Sequence, residues 1–152
     1  MIMSVEPLLG VETRLLENFG TAGAALMFEE GRQYAIESLR QLRRVLPGAE
    51  PKEFLALVVS WLRTTGWGLF EFDSSKFETI GVVWAKVGEP PNAVVSGLRL
   101  SNFLNGATAG VIESVFGTPV RLLGGHYKEQ TKKLSLTFEA IKPAEPGNPS
   151  KS

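Results

Sequence analysis

Apolar residues recur along the first part of the chain at the three-and-four spacing of helices buried on one side. Leu8, Leu9, Leu15, Leu16 and Phe19 suit a short helix over residues 5–19, with Gly20 as its stop. Phe28, Ala35, Leu39, Leu42 and Leu46 share one face of a longer helix predicted over 22–46. Glu29, Glu30, Arg32, Glu37, Arg40 and Arg43 lie mostly elsewhere on it, acidic residues early and basic ones late, as the helix dipole favours. Pro47-Gly48 ends that segment, and Pro51 suits the first turn of the next. There Phe54, Leu57, Val58, Trp61 and Leu62 make another apolar stripe, closed by Gly66.

After Gly66 the period changes. Residues 67–73 and 77–88 are rich in aromatic and β-branched side chains, with the turn signal Asp73-Ser74-Ser75-Lys76 between them, so a hairpin is predicted. Within it Trp84 is opposite in parity to Val83 and Ala85, which turns it outward and makes it a candidate interface residue. Glu89-Pro90-Pro91-Asn92 reads as a loop.

An apolar helix rich in small residues follows over about 98–116. It carries Gly106, Ala107, Ala109 and Gly110, which let another backbone come close. Two strands are predicted near 119–128 and 133–141. In the second, Leu134, Leu136, Phe138 and Ala140 alternate with Lys133, Ser135, Thr137 and Glu139. The segment 143–152, PAEPGNPSKS, has the composition of a disordered tail. The order of elements predicts an α+β domain over 21–142, an antiparallel sheet of about four strands with helices packed on one face, preceded by a helix or arm over 1–20.

Composition narrows the chemistry. At 152 residues the chain suits one domain with its own core. Lys+Arg and Asp+Glu are equal at 16 each, so no net charge draws it to nucleic acid or to an anionic surface. Cysteine is absent, which removes disulfides, thiolate metal sites and cysteine nucleophiles. No apolar run approaches the roughly 20 residues of a membrane span, and the first residues lack the pattern of a signal peptide. A cytoplasmic protein without cofactor or metal is the expectation.

Individual motifs carry little catalysis. His126 is the only histidine, and with Glu129 alone it falls short of a metal site. It could serve a ligand as a hydrogen-bonding or pH-sensitive group, against the plainer reading of a turn or surface histidine. Gly124-Gly125 follows a strand with no helix after it, which suits a bend or bulge and not a phosphate loop. Gly106-x-x-x-Gly110 sits in a segment too polar for a membrane and suggests close helix packing. The basic groups at Lys128, Lys132, Lys133 and at Arg40, Arg43, Arg44 read as solvated faces or dipole complements. Glu29 and Glu30 are adjacent and splay apart on a helix, and no Gly-x-Ser-x-Gly elbow occurs.

Three pieces in order carry a family resemblance. They are Met27-Phe28-Glu29-Glu30-Gly31-Arg32, then Thr65-Gly66-Trp67-Gly68-Leu69-Phe70-Glu71, then Phe103 to Glu113 running on to Phe116-Gly117-Thr118-Pro119-Val120. Together they resemble the 4-vinyl reductase domain family, which shares its fold with small subunits of the TRAPP vesicle-tethering complex and with haem-type nitric-oxide sensor relatives. The resemblance implies a ligand-binding or dimerising α+β module with a TRAPP small-subunit-like fold. Many members carry cysteines in the last hairpin that can hold zinc; here Leu122 to Gln130 has none, so that property does not carry over.

The leading reading is a non-catalytic module that holds a small hydrophobic molecule between sheet and helices. Phe28, Trp67, Phe70, Phe103 and Ala107 are the candidate cavity walls, with His126 as a candidate polar contact. The alternative is a homodimer or a subunit of a larger assembly. A third, an enzyme acting on a porphyrin-like or aromatic substrate, lacks an identified acid–base pair.

Overall fold

The computed structural model describes residues 6–88 and 102–142. The predicted loop at 89–92, the predicted start of the small-residue helix at 98–101 and the tail at 143–152 lie outside them. The described elements are α1 (Glu6–Phe19), α2 (Thr21–Arg43), α3 (Pro51–Thr64), β1 (Leu69–Asp73), α4 (Phe77–Ile80), β2 (Val82–Gly88), α5 (Asn102–Phe116), β3 (Val120–Lys128) and β4 (Lys133–Ala140). The four strands form one antiparallel sheet in the order β1-β2-β4-β3, and the protein is an α+β fold.

Alternation places the inner sheet face. Val83, Ala85 and Val87 on β2 and Leu134, Leu136 and Phe138 on β4 are buried, with Phe70 on β1. Trp84 faces the other way and is 37% exposed. The core joins this face to Val58 and Phe54 of α3, Leu39 of α2 and Ile112 of α5, all close to fully buried. Each such side chain contributes about 1.5–3 kcal/mol of burial.

Most of α5 is buried, because it packs against both the sheet and α2. Its contact with α2 is backbone to backbone. A side-chain carbon at Gly106 would collide with the Phe28 carbonyl, and one at Gly31 with the Phe103 carbonyl. One at Gly110 would lie 2.5 Å from the Arg32 carbonyl oxygen. The first and third pieces of the family resemblance thus meet as one glycine seam. A network of charge closes its end. Arg32 donates to Glu29 at 2.6 Å and to Glu113 at 2.5 Å, and the other Glu113 oxygen accepts the Val120 N–H at 3.0 Å, tying α2 and α5 to the start of β3.

Two boundaries differ from the sequence expectation. The second helix stops at Arg43, so Leu46 lies beyond it and is exposed. Arg43 explains the early stop. Its guanidinium sits 3.7 Å from the centre of the Phe54 ring and donates to the carbonyls of Ala49 at 3.3 Å and Ser114 at 3.2 Å, drawing the connection back across α3 and α5. The predicted strand 77–88 loses its first turn to α4, since Gly81 adopts a left-handed φ of 69° and Phe77 packs on Phe116 with centroids 4.6 Å apart. The last hairpin contains a bulge between Leu122 and Gly124, beside the Gly124-Gly125 pair that suggested a bend or bulge.

Candidate functional site

A cavity of about 20 Å³ lies where α2, α3 and α5 diverge above β1. Its wall comes from Tyr34, Ala35 and Leu39 on α2, Trp61 and Leu62 on α3, Trp67 and Phe70 at β1, and Leu104, Ala107, Thr108 and Val111 on α5. The α5 contributors recur at the spacing of one helix face. Gly106 and Gly110 are offset from them, so one helix presents a closed face to α2 and a loose one to the cavity.

Thr108 looks polar in the sequence and is not so in the cavity. Its side chain is completely buried and its hydroxyl donates to the Leu104 carbonyl at 2.8 Å, back along the same helix. Among the described residues no nitrogen or oxygen atom contributes to the cavity surface. A void of this size exceeds the roughly 10–15 Å³ needed for one water, but a water also needs two or more polar partners, and the wall offers none.

Three rings pack beside the cavity. Tyr34 lies 5.7 Å from Trp67 and 5.8 Å from Phe103, and Trp67 stacks on Phe103 at 6.2 Å with planes 19° apart. Such offset pairs add about 0.5–1.5 kcal/mol each beyond burial. Tyr34 is 37% exposed and Phe103 is buried, so the cluster runs from solvent to the core. Trp67 owes its place to Gly66 and Gly68, whose φ angles of 84° and 138° let the chain turn out of α3 into β1.

Of the residues singled out in the sequence, Trp67, Phe70 and Ala107 line this cavity, and Phe103 stacks on Trp67 behind its wall. Phe28 is not part of the lining; it packs at the edge of the core beside the glycine seam. His126 is exposed and away from the cavity. The bulge is the reason. Leu122 pairs with Phe138 and faces in, but beyond the extra residue it is Gly125 that pairs with the inward Leu136, and His126 pairs with the outward Ser135. Tyr34, Leu104, Thr108 and Val111 are not among the residues singled out in the sequence, and Trp61 also lines the cavity. Trp61 had a signal, in its place on the stripe of α3; Tyr34 and Thr108 had none, because each breaks the apolar pattern.

The electrostatics of this region lie outside the cavity. The Glu29 carboxyl is held at about 2, well below the ordinary range, chiefly by hydrogen bonds from the Arg32 side chain, with help from Gln33. The Arg32 guanidinium is pushed up in turn, mainly by Glu29. Among the described residues no three His, Asp or Glu side chains gather to hold a metal ion, and no helix is long and apolar enough to cross a membrane.

The chain is similar in structure to the phenol-responsive sensory domain of the transcription activator PoxR, solved with phenol. That likeness has a TM-score of 0.67 at 9% identity, over 92% of this chain and 76% of the other. It is also similar to a protein from work on the function of haem distortion in the H-NOX family, with a TM-score of 0.56 at 12% identity, over 93% of this chain and 74% of that one. No family model matches the chain. No curated protein matches it in sequence. At these identities the likeness establishes a shared α+β fold.

Haem does not fit this site. The single histidine lies on the outer sheet face, cysteine is absent, and Tyr34, the one cavity residue of a haem-ligand type, packs its ring on Trp67 and Phe103. A macrocycle has no room in about 20 Å³.

Proposed function

We propose that this chain is a non-catalytic binding module for a small hydrophobic molecule, of the kind used by ligand sensors. The observation that carries the reading is the cavity between α2, α3, α5 and β1, whose surface is wholly apolar and flanked by aromatic rings. Preformed apolar pockets of this kind gain affinity from desolvation and dispersion. The similarity to a phenol-responsive sensory domain supports the reading, as does the three-part resemblance to the 4-vinyl reductase family. A single ring is larger than the cavity at rest, so entry displaces Tyr34 or Trp67, the half-exposed members of the ring cluster. Among the described residues no carboxylate, amine or imidazole lines the cavity, and the walls offer contacts of desolvation and dispersion.

Calorimetric titration with toluene and with p-cresol tests it. Toluene binds. The cresol binds about tenfold more weakly, because its buried hydroxyl finds no partner, a cost of about 1–3 kcal/mol. No heat with either compound, together with no ligand carried by the purified protein in native mass spectrometry, overturns the proposal.

A second reading, self-association, is favoured by exposed apolar side chains. Trp84 projects from the outer sheet face, and Val11, Leu16, Phe19 and Leu26 are exposed on α1 and α2. Light scattering at high protein concentration decides it: a dimer is expected, and a strict monomer counts against it.

A further inference from the structure

The ring cluster beside the cavity is anchored from outside. Phe103 is the second described residue of α5, and the one before it, Asn102, is held by α1. Glu12 Oε1 accepts the Asn102 backbone N–H at 2.7 Å and the Asn102 side-chain amide at 2.9 Å. Glu12 is only 5% exposed, the one charged side chain in the core of the described residues. Burying a carboxylate is costly unless it is hydrogen-bonded; here Oε1 takes both bonds, while Oε2 is buried with no hydrogen-bond partner among the described residues, so the contact with Asn102 is what holds the charge in place. The accepting group comes from a different helix, 90 residues away in sequence.

The surroundings of α1 give this contact its significance. α1 also packs closely on the start of α2, where Gly23 sits against the Leu15 carbonyl. The remainder of its described surface is largely exposed, Val11, Leu16 and Phe19 included. Glu12 is therefore a polar link from α1 to α5, which supplies four residues of the cavity wall. The chain of contacts runs Glu12, Asn102, Phe103, Trp67, cavity wall.

We propose that Glu12 is a positioning residue for the cavity: through Asn102 it fixes the first turn of α5 and so holds Phe103 on Trp67. This goes beyond the binding reading and stands on contacts present without any ligand. Combined with that reading it has a consequence. Fixing Phe103 with a bound ring tightens the docking of α1, and by reciprocity loosening α1 weakens binding.

A double-mutant cycle in urea unfolding tests the positioning role without a ligand, using Glu12→Ala, Trp67→Phe and the pair. Independent roles of Glu12 and Trp67 would add to within about twofold in the unfolding constant. The proposal expects a deviation of about fivefold or more, because truncating Trp67 costs less once Phe103 is no longer held, and the same cycle built on Glu12→Gln, which keeps the accepting oxygen, loses most of that deviation. Asn102→Ala removes only the side-chain donor and gives a smaller deviation of the same sign; it replaces Glu12→Ala in the cycle should that variant not fold. An additive cycle overturns the proposal. Hydrogen exchange on the wild type with toluene reads the consequence: slower exchange in α1 supports it, and toluene binding with α1 exchange unchanged overturns the link. Failure of toluene to bind counts against the cavity reading, while the cycle still decides the role of Glu12.

Discussion

The two faces of α5 solve opposite problems. Toward α2 the helix removes every atom it can: Gly106 and Gly110 bring it onto the Phe28 and Arg32 carbonyls, and Gly31 returns the contact onto Phe103. Toward α3 and β1 it presents Leu104, Ala107, Thr108 and Val111 and leaves a void. The seam has no tolerance for an added carbon, because the opposing atoms are backbone and cannot rotate away. The cavity has tolerance, because its neighbours are side chains. Helices at a binding site need both properties, one face rigid enough to hold position and another loose enough to admit a guest.

The sharpest way to break this comparison is at adjacent residues. Gly106→Ala puts its new carbon into the Phe28 carbonyl and forces two helices apart, a loss of about 3 kcal/mol or more, at the upper end of overpacking costs. A thermal or urea melt reads it directly, and a change below half that size would show that the seam is softer than its geometry implies. One residue on, Ala107→Leu grows into the void instead. Stability moves by no more than about 1 kcal/mol in either direction, but binding of toluene is lost in calorimetry. A destabilisation as large as that of Gly106→Ala would mean that the two faces do not differ.

The smallest effect concerns the charged end of the seam. Glu29 is held at about 2 in the folded protein, against 4.5 for the ordinary group. A carboxyl lowered by folding stabilises above its unfolded value, and that contribution is lost as pH falls from about 4.5 through 2. Its side chain is 48% exposed, so solvent screening keeps the whole contribution below about 1 kcal/mol. Melts of the wild type and Glu29→Gln taken from pH 7 down to pH 2.5 converge as the acid form appears. A constant gap across that range would remove Glu29 from the network.

Much of the fold was legible because it is written in periodicity. The alternation of Leu134, Leu136 and Phe138 located β4 and its inner face, and the parity of Trp84 turned it outward as observed. The small residues of α5 announced a close neighbour. They could not say which helix, because the matching position, Gly31, is a single glycine on a long and otherwise ordinary helix. The site was less legible. Trp67, Phe70 and Ala107 were marked by aromatic content and resemblance, and they line the cavity. Tyr34 and Thr108 were not, since a half-exposed ring and a hydroxyl that bonds to its own helix leave no signature in hydrophobicity. Glu12 was invisible for a related reason: a carboxylate in an amphipathic helix reads as solvated until its partner, 90 residues on, is known. His126 was misplaced by one residue of slack in the hairpin.

That slack has a consequence for comparing this chain with others. β3 is written in two frames. Up to Leu122 the even-numbered positions point at the core; after Leu123 the odd-numbered ones do. An alignment that pairs this strand column by column with a relative lacking the bulge would set a solvent residue against a core residue at every position beyond it. A gap of one at Leu123 restores the match, and only then do Gly125 and Tyr127 fall into the columns of buried residues.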